Sequence, residues 1–371
     1  MAWKKTQIQR ENGTWVEAQV PEVISASRST DIPAFYCDWF FHRLEVGYSA
    51  WTNPFNNVRS FVSYENTRFI VFWSKNPRPL LKYLDLLEHP MIAGKPRDKI
   101  NCYIQYTLND YVAEGLEKVP SLEQRIETFK LLVDRLGKGH VIWRFDPMLL
   151  TDYITIDKLL SKVQTIGDQL KGYTDKLVFS FADIASYKKV KANLEHSNVH
   201  YIEWTYEMME QFAIRLSLLN KERGWNFVLA TCGEQEIFGK YGIIKNSCVD
   251  DELMIQCAYQ DPILMRFLGV QIHNIQEATQ TNIFDSIPKI SLPLNAKMIR
   301  GTQKFFIKTK DNKDKGQREL CGCMMSKDIG EYNTCPHQCE YCYANTSKKI
   351  AIENYRRAQT TNFLLETITG K

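Results

Sequence analysis

Three consecutive stretches, Val141–Asp146 (VIWRFD), Ile156–Leu170 (IDKLLSKVQTIGDQL) and Leu177–Phe181 (LVFSF), decide how the chain is read. The outer two are short runs of β-branched and aromatic residues, too short for isolated helices. The middle one repeats apolar side chains at three- and four-residue spacing, the period of a helix with one buried face. The same alternation continues in both directions. Further strands are expected at Val23–Ser27, Phe69–Lys75, Cys102–Leu108 and Phe227–Cys232, and further helices at Leu122–Leu136 and Tyr206–Leu219. Repeated strand–helix units predict an α/β protein with a parallel sheet, and six or more of them favour a TIM-like β/α barrel, complete or partial.

The expected strands share a habit at their ends. They finish in Ser27-Arg28-Ser29-Thr30-Asp31, Ser74-Lys75-Asn76, Thr107, Arg144 with Asp146, Ser180 with Asp183, and Thr231-Cys232. A β/α barrel gathers its chemistry at that end, so these residues predict a polar cavity. Each also has a structural reading: Asp31 before Ile32-Pro33 suits a helix N-cap, and Arg144 with Asp146 suits an ion pair.

Composition sets the outer limits. With 371 residues, 44% hydrophobic and 24% charged, the chain is neither disordered nor collagen-like nor a disulfide miniprotein. No apolar run reaches the ~18–20 residues of a membrane helix, and the opening MAWKKTQIQRENG has no signal-peptide core, so a soluble cytoplasmic protein with no membrane partner is expected. The net charge is +4, yet Lys297–Arg318 carries eight Lys/Arg against Asp311 and Asp314, leaving the remainder at −2. Within it KTKDNKDKGQRE (Lys308–Glu319) has no apolar period and reads as a solvated loop. No linker divides the chain before residue 240. Residues 1–240 are expected to supply the main barrel, 241–320 a helical and irregular segment with the basic loop, and 321–371 a strand and helix that complete it.

Ten cysteines in such a chain point to metal or redox chemistry rather than to disulfides. Five of them, Cys321, Cys323, Cys335, Cys339 and Cys342, fall within 22 residues. Cys335-Pro-His-Gln-Cys339-Glu-Tyr-Cys342 offers three thiolates spaced to hold one corner of an iron–sulfur cube, which normally takes four. An iron without a protein ligand stays open to a small molecule. His337 inside this loop reads as a loop residue. Cys321-Gly-Cys323 forms a tight pair that, with Cys232 and Cys248, makes a second four-thiol set suited to a 4Fe-4S cluster or to zinc. Alternatively, Cys232 and Cys248 are ordinary buried thiols, as Cys102 and Cys257 are expected to be.

The pattern CxxxCxΦC, with aromatic Tyr341 before the last cysteine, resembles the radical S-adenosylmethionine enzymes. That resemblance implies a 4Fe-4S cluster on Cys335, Cys339 and Cys342, S-adenosylmethionine on the open iron, Tyr341 beside the adenine, and reductive cleavage to a 5′-deoxyadenosyl radical. It also implies a low-potential electron donor of the flavodoxin or ferredoxin type. The substrate could be a small molecule, a peptide or a nucleic acid. Members mostly carry the motif near the N-terminus, and its place here implies a circularly permuted barrel. Asp328–Thr334 (DIGEYNT) would be the strand feeding the loop, a helix would follow around Lys348–Leu364, and Val23–Ser27 would lie alongside.

The Gly-Gly-Glu turn common in that superfamily is absent. Ser27 and Arg28 at the equivalent strand end would meet the amino group instead, and Arg144 the carboxylate. The wider sequence, through ISASRSTDIPAFY (Ile24–Tyr36), FWSKNPRPLL (Phe72–Leu81), WRFDP (Trp143–Pro147) and CGCMMSKDIGEYNTC (Cys321–Cys335), resembles a family known as domain of unknown function 1848. Two other functions fit the residues less fully: an iron–sulfur electron-transfer or redox-sensing protein, and a barrel hydrolase with structural zinc.

Overall fold

The computed structural model describes residues 3–53, 56, 58–232, 236–280, 289–290, 292–317 and 320–370. Its centre is an eight-stranded sheet: β1 Val23–Ala26, β2 Phe69–Ser74, β3 Asn101–Thr107, β4 Val141–Met148, β5 Lys176–Phe181, β6 Val228–Thr231, β7 Ile243–Lys245 and β8 Lys327–Asp328. Across the sheet the order is β8-β1-β2-β3-β4-β5-β6-β7, and every neighbouring pair is parallel. All six expected strands are present, each within two residues of its expected ends.

The three helices expected from the apolar period are present, among eight of seven residues or more in the described residues. The eight are α1 Cys37–Val46, α2 Leu122–Leu136, α3 Ile156–Leu170, α4 Lys188–His196, α5 Tyr206–Glu222, α6 Asp251–Ala258, α7 Pro262–Leu268 and α8 Lys348–Thr360. Helix α2 begins at a capping box: Ser121 accepts from the Gln124 N–H, and the Gln124 side chain accepts from the Ser121 N–H. Helix α3 buries Leu159, Leu160, Val163, Ile166 and Leu170, each worth about 1.5–3 kcal/mol of transfer free energy.

Alternation along the strands divides the core in two. Ile70, Phe72, Ile104, Tyr106, Trp143 and Phe179 pack with apolar residues of α1, α2, α3 and α5. Phe69, Val71, Tyr103, Ile142, Val178 and Ala230 face the other way, against Met254, Ile255, Leu264, Leu268 and Phe306. That second layer is built from α6, α7 and a small antiparallel sheet of Val270–Asn274, Lys304–Lys308 and Ala296–Met298. It is the segment expected to be helical and irregular. Its basic stretch runs past Lys308 without regular structure, as a loop should, with Arg318 outside the described residues. A four-stranded sheet (Lys5–Gln9, Trp15–Gln19, Arg59–Ser63, Tyr48–Thr52) stands apart from the main one.

One expectation is met in part and another needs correction. Among the described residues β7 and β8 do not pair, so the sheet is not a closed barrel. Its ends are bridged by one backbone hydrogen bond, Met324 N–H to the Val249 carbonyl at 2.9 Å. Asp328–Thr334 is not a strand beyond its first residue. The Asp328 carboxylate accepts from its own downstream Gly330 N–H at 3.0 Å, a local turn that competes with ladder bonding.

Candidate metal and cofactor site

Asp328 anchors the chain where β8 ends. Its carboxylate accepts from the Ser25 hydroxyl at 2.8 Å, the Ser27 hydroxyl at 2.7 Å and the Arg28 N–H at 3.0 Å. Gly330 has no room for a side chain, because a Cβ there would lie 1.8 Å from Ser27 Oγ. Thr30 Oγ1 and Thr334 Oγ1 lie 2.7 Å apart, and the Tyr36 hydroxyl donates to the Thr334 carbonyl at 2.8 Å. Residues at the end of β1 thus hold the start of the Cys335–Cys342 loop from the side.

His337 in that loop is buried and bonded at both ring nitrogens, to Asp31 Oδ2 at 2.8 Å and to the Lys118 carbonyl at 3.1 Å. It is a loop anchor, as expected. Asp31 also caps the short helix Ile32–Phe35. A cavity of about 650 Å³ opens beside His337, lined by Phe35, Asn76, Glu117 and Pro120 among others.

The three cysteines Cys335, Cys339 and Cys342 are free thiols in one loop. Burial pushes Cys335 well up, with Asp31 and the other two cysteines adding to it. Burial likewise pushes Cys339 up to about 12 against the pull of Lys75. The Cys342 sulfur accepts from the Asn345 N–H at 3.3 Å, and Asn345 Nδ2 donates to the Cys335 carbonyl at 2.8 Å. The donor set therefore suits an iron–sulfur cluster: three uncommitted soft sulfurs, close enough to repel one another when ionised. Among the described residues, no three His, Cys, Asp or Glu side chains already surround a common point as metal ligands do.

Tyr341 lies buried in a polar network that sequence reasoning missed. Its hydroxyl accepts from Lys75 Nζ at 2.8 Å and from Asn109 Nδ2 at 3.3 Å, and donates to Glu117. Lys75 also meets Glu117 at 2.9 Å. Burial alone would raise the Glu117 carboxyl, but Lys75, Arg125 and the Tyr341 hydroxyl overcome it and hold the group down at about 2. The polar strand end Ser74-Lys75-Asn76 was the signal for Lys75; nothing in the sequence singled out Glu117.

On the opposite face of the sheet the polar strand ends converge. Arg144 pairs with Asp146 and donates to Gln105 Oε1 at 3.2 Å. Asp146 also accepts from Ser180. The Arg28 and Arg144 guanidiniums stand 5.1 and 5.5 Å from the Trp73 ring, whose Nε1 donates to Ser25. Trp73 is half-buried at this mouth. The Ser27 hydroxyl is committed to Asp328, and the Arg28 carbonyl accepts from Tyr343 at 2.6 Å.

The second set gathers on this face. Cys232 Sγ and Cys248 Sγ are 2.9 Å apart, and Cys323 Sγ accepts from the Cys248 and Val249 N–H groups at 3.3 and 3.4 Å. Cys102 is buried and Cys257 half-buried, both away from these sets.

No helix among the described residues is long and apolar enough to cross a membrane. No curated protein and no solved structure matches the chain. The family model described as a domain of unknown function, DUF1848, matches residues 23–344. That span runs from β1 through the three-cysteine loop and takes in both thiol sets. The chain belongs to the DUF1848 family.

Proposed function

We propose that the protein is a radical S-adenosylmethionine enzyme acting on a substrate yet to be identified. The observation that carries this reading is the loop Cys335–Cys342, with three buried or half-buried free thiols and no fourth, seated where β8 and β1 end side by side. Cys335, Cys339 and Cys342 would hold a 4Fe-4S cluster there which, reduced by an external low-potential donor, would supply one-electron reductive chemistry toward bound S-adenosylmethionine. The chain's own groups do the rest. Asp328, Thr30 and His337 fix the loop, and Lys75 with Glu117 holds the Tyr341 ring in one position. Arg144 and Arg28 stand instead on the other face of the sheet, over Trp73, with Arg144 on Cys248 of the second thiol set. Further support comes from the winding of the sheet. The strands follow chain order without reversal and the last lies beside the first, as in a β/α barrel whose chain begins one strand late. We therefore read the architecture as a circularly permuted TIM-like barrel.

The protein is expected to take up iron and sulfide anaerobically and, once reduced, to turn S-adenosylmethionine into 5′-deoxyadenosine. Cys339→Ala should abolish both. A wild-type protein that carries a full cluster yet yields no 5′-deoxyadenosine, and whose EPR signal ignores S-adenosylmethionine, would sink the proposal.

A further inference from the structure

The second thiol set sits at a particular place in the fold. Cys232 directly follows β6, Cys248 follows β7, and Cys321 and Cys323 lead into β8. These are the two ends of the sheet that fail to pair, and the Met324–Val249 hydrogen bond crosses the seam between the two pairs of cysteines.

The four cysteines are neighbours. Cys232 Sγ and Cys248 Sγ are 2.9 Å apart, Cys323 Sγ lies 3.3 Å from the Cys248 nitrogen, and Cys321 is two residues from Cys323. None is in a disulfide. Their surroundings are donors aimed at sulfur. The Cys248 and Val249 N–H groups point at Cys323 Sγ at 3.3 and 3.4 Å. Asn246 Nδ2 reaches Cys232 at 3.0 Å and Cys248 at 3.3 Å, and Arg144 reaches Cys248 at 3.2 Å. Donors in this arrangement stabilise thiolates and orient them, the role of an outer shell around metal ligands. Gly322, between the two C-terminal cysteines, lies against Ser247, and a Cβ there would come within 2.5 Å of its hydroxyl. The Cys-Gly-Cys turn is thereby pressed onto the residue preceding Cys248.

We infer that these four cysteines hold a single zinc ion that staples the two ends of the sheet together. The choice of metal follows from spacing. A tetrahedral ion with Zn–S of about 2.3 Å sets its sulfurs about 3.8 Å apart. An iron–sulfur cube places each cysteine on its own iron and spreads them farther. Here Cys232 Sγ and Cys248 Sγ lie 2.9 Å apart and Cys323 Sγ lies 3.3 Å from the Cys248 nitrogen, nearer the spacing around one ion than that around a cube. Among the described residues no three of the thiols already surround a common point, and ligation draws in the half-buried Cys232 and Cys321. Zn2+ displaces four thiol protons and forms four Zn–S bonds, with no change of oxidation state.

The test is made on the full chain and on a variant with Cys335, Cys339 and Cys342 all replaced by Ala, which removes the other thiol set. Both are grown with zinc and analysed for zinc, iron and sulfide. Each should carry about one zinc per chain. The cobalt-substituted variant should show the visible bands of a tetrahedral four-thiolate site. In that background Cys323→Ser and Cys248→Ser should lose the metal and unfold at lower temperature. Should those variants not fold, alkylation of the parent variant decides: Cys232, Cys248, Cys321 and Cys323 should react only after a chelator is added.

A folded variant without zinc, iron and sulfide in its place, or free alkylation of the four thiols in the zinc-grown protein would each overturn the inference. Failure of S-adenosylmethionine cleavage would leave it intact, since the metal count does not depend on that reaction.

Discussion

Lys327 carries its amine into a buried position over the Trp51 ring, 3.7 Å from the centroid. Burial draws its pKa down from 10.5 to about 8, with Asp328 opposing. Between those values the unfolded chain binds a proton that the folded chain does not, so this residue makes stability rise as pH climbs from about 8 to 10.5. Lys327→Met should remove that rise and make the protein more stable at pH 7, by on the order of 1–3 kcal/mol. Urea midpoints of the two proteins at pH 7 and pH 9.5 measure both effects. Converging midpoints at pH 7 would show that the cation–π contact with Trp51 offsets the desolvation. At this scale the sequence revealed the cysteines, because thiols at close spacing are rare. It did not reveal Asp328, whose partners on β1 lie about 300 residues away, or Glu117, whose partners Lys75 and Tyr341 lie 42 and 224 residues away and carry no local pattern.

Between elements, the junction of β8 with β1 depends on Gly330. Its φ is unremarkable, and what makes it a glycine is the approach of Ser27 and Ser29, whose hydroxyls would lie 1.8 and 2.7 Å from an added Cβ. Gly330→Ala should cost about 1–3 kcal/mol by overpacking and weaken metal uptake by the Cys335–Cys342 loop. A thermal melt and an iron count on the reconstituted variant check it, and an unchanged melting temperature would show that the serines swing aside freely. Helices were the most legible elements: Leu122–Leu136 and Ile156–Leu170 have the bounds that their period dictates. The least legible was DIGEYNT, which looks like a strand on composition. An aspartate that bonds to its own turn overrides that tendency.

For the whole molecule, the strand alternation disclosed the parallel sheet but not how its ends meet. The β8–β1 pairing joins residues near opposite ends of the chain, which periodicity does not record. The four-stranded sheet near the N-terminus escaped notice for a related reason. Its strands Lys5–Gln9 and Trp15–Gln19 are mostly polar and half-exposed, with no apolar face to mark them. A chain lacking residues 321–371 would leave β1 with a bare edge of hydrophobic Val23 and Ile24, a template for pairing with another copy. Such a truncation should elute as aggregates in size-exclusion chromatography. A monomeric truncation would show that the edge is shielded by something other than β8.

The adjacency of β8 and β1 has a temporal side. The two strands are separated by 300 residues, about 15–60 s of synthesis at roughly 5–20 residues per second. For that interval the growing chain holds one rim of its sheet open, and neither group of sulfurs is complete. On the proposed reading, uptake of metal cannot precede synthesis of the last cysteines, so its timing is set by the ribosome before it is set by the affinity of either site.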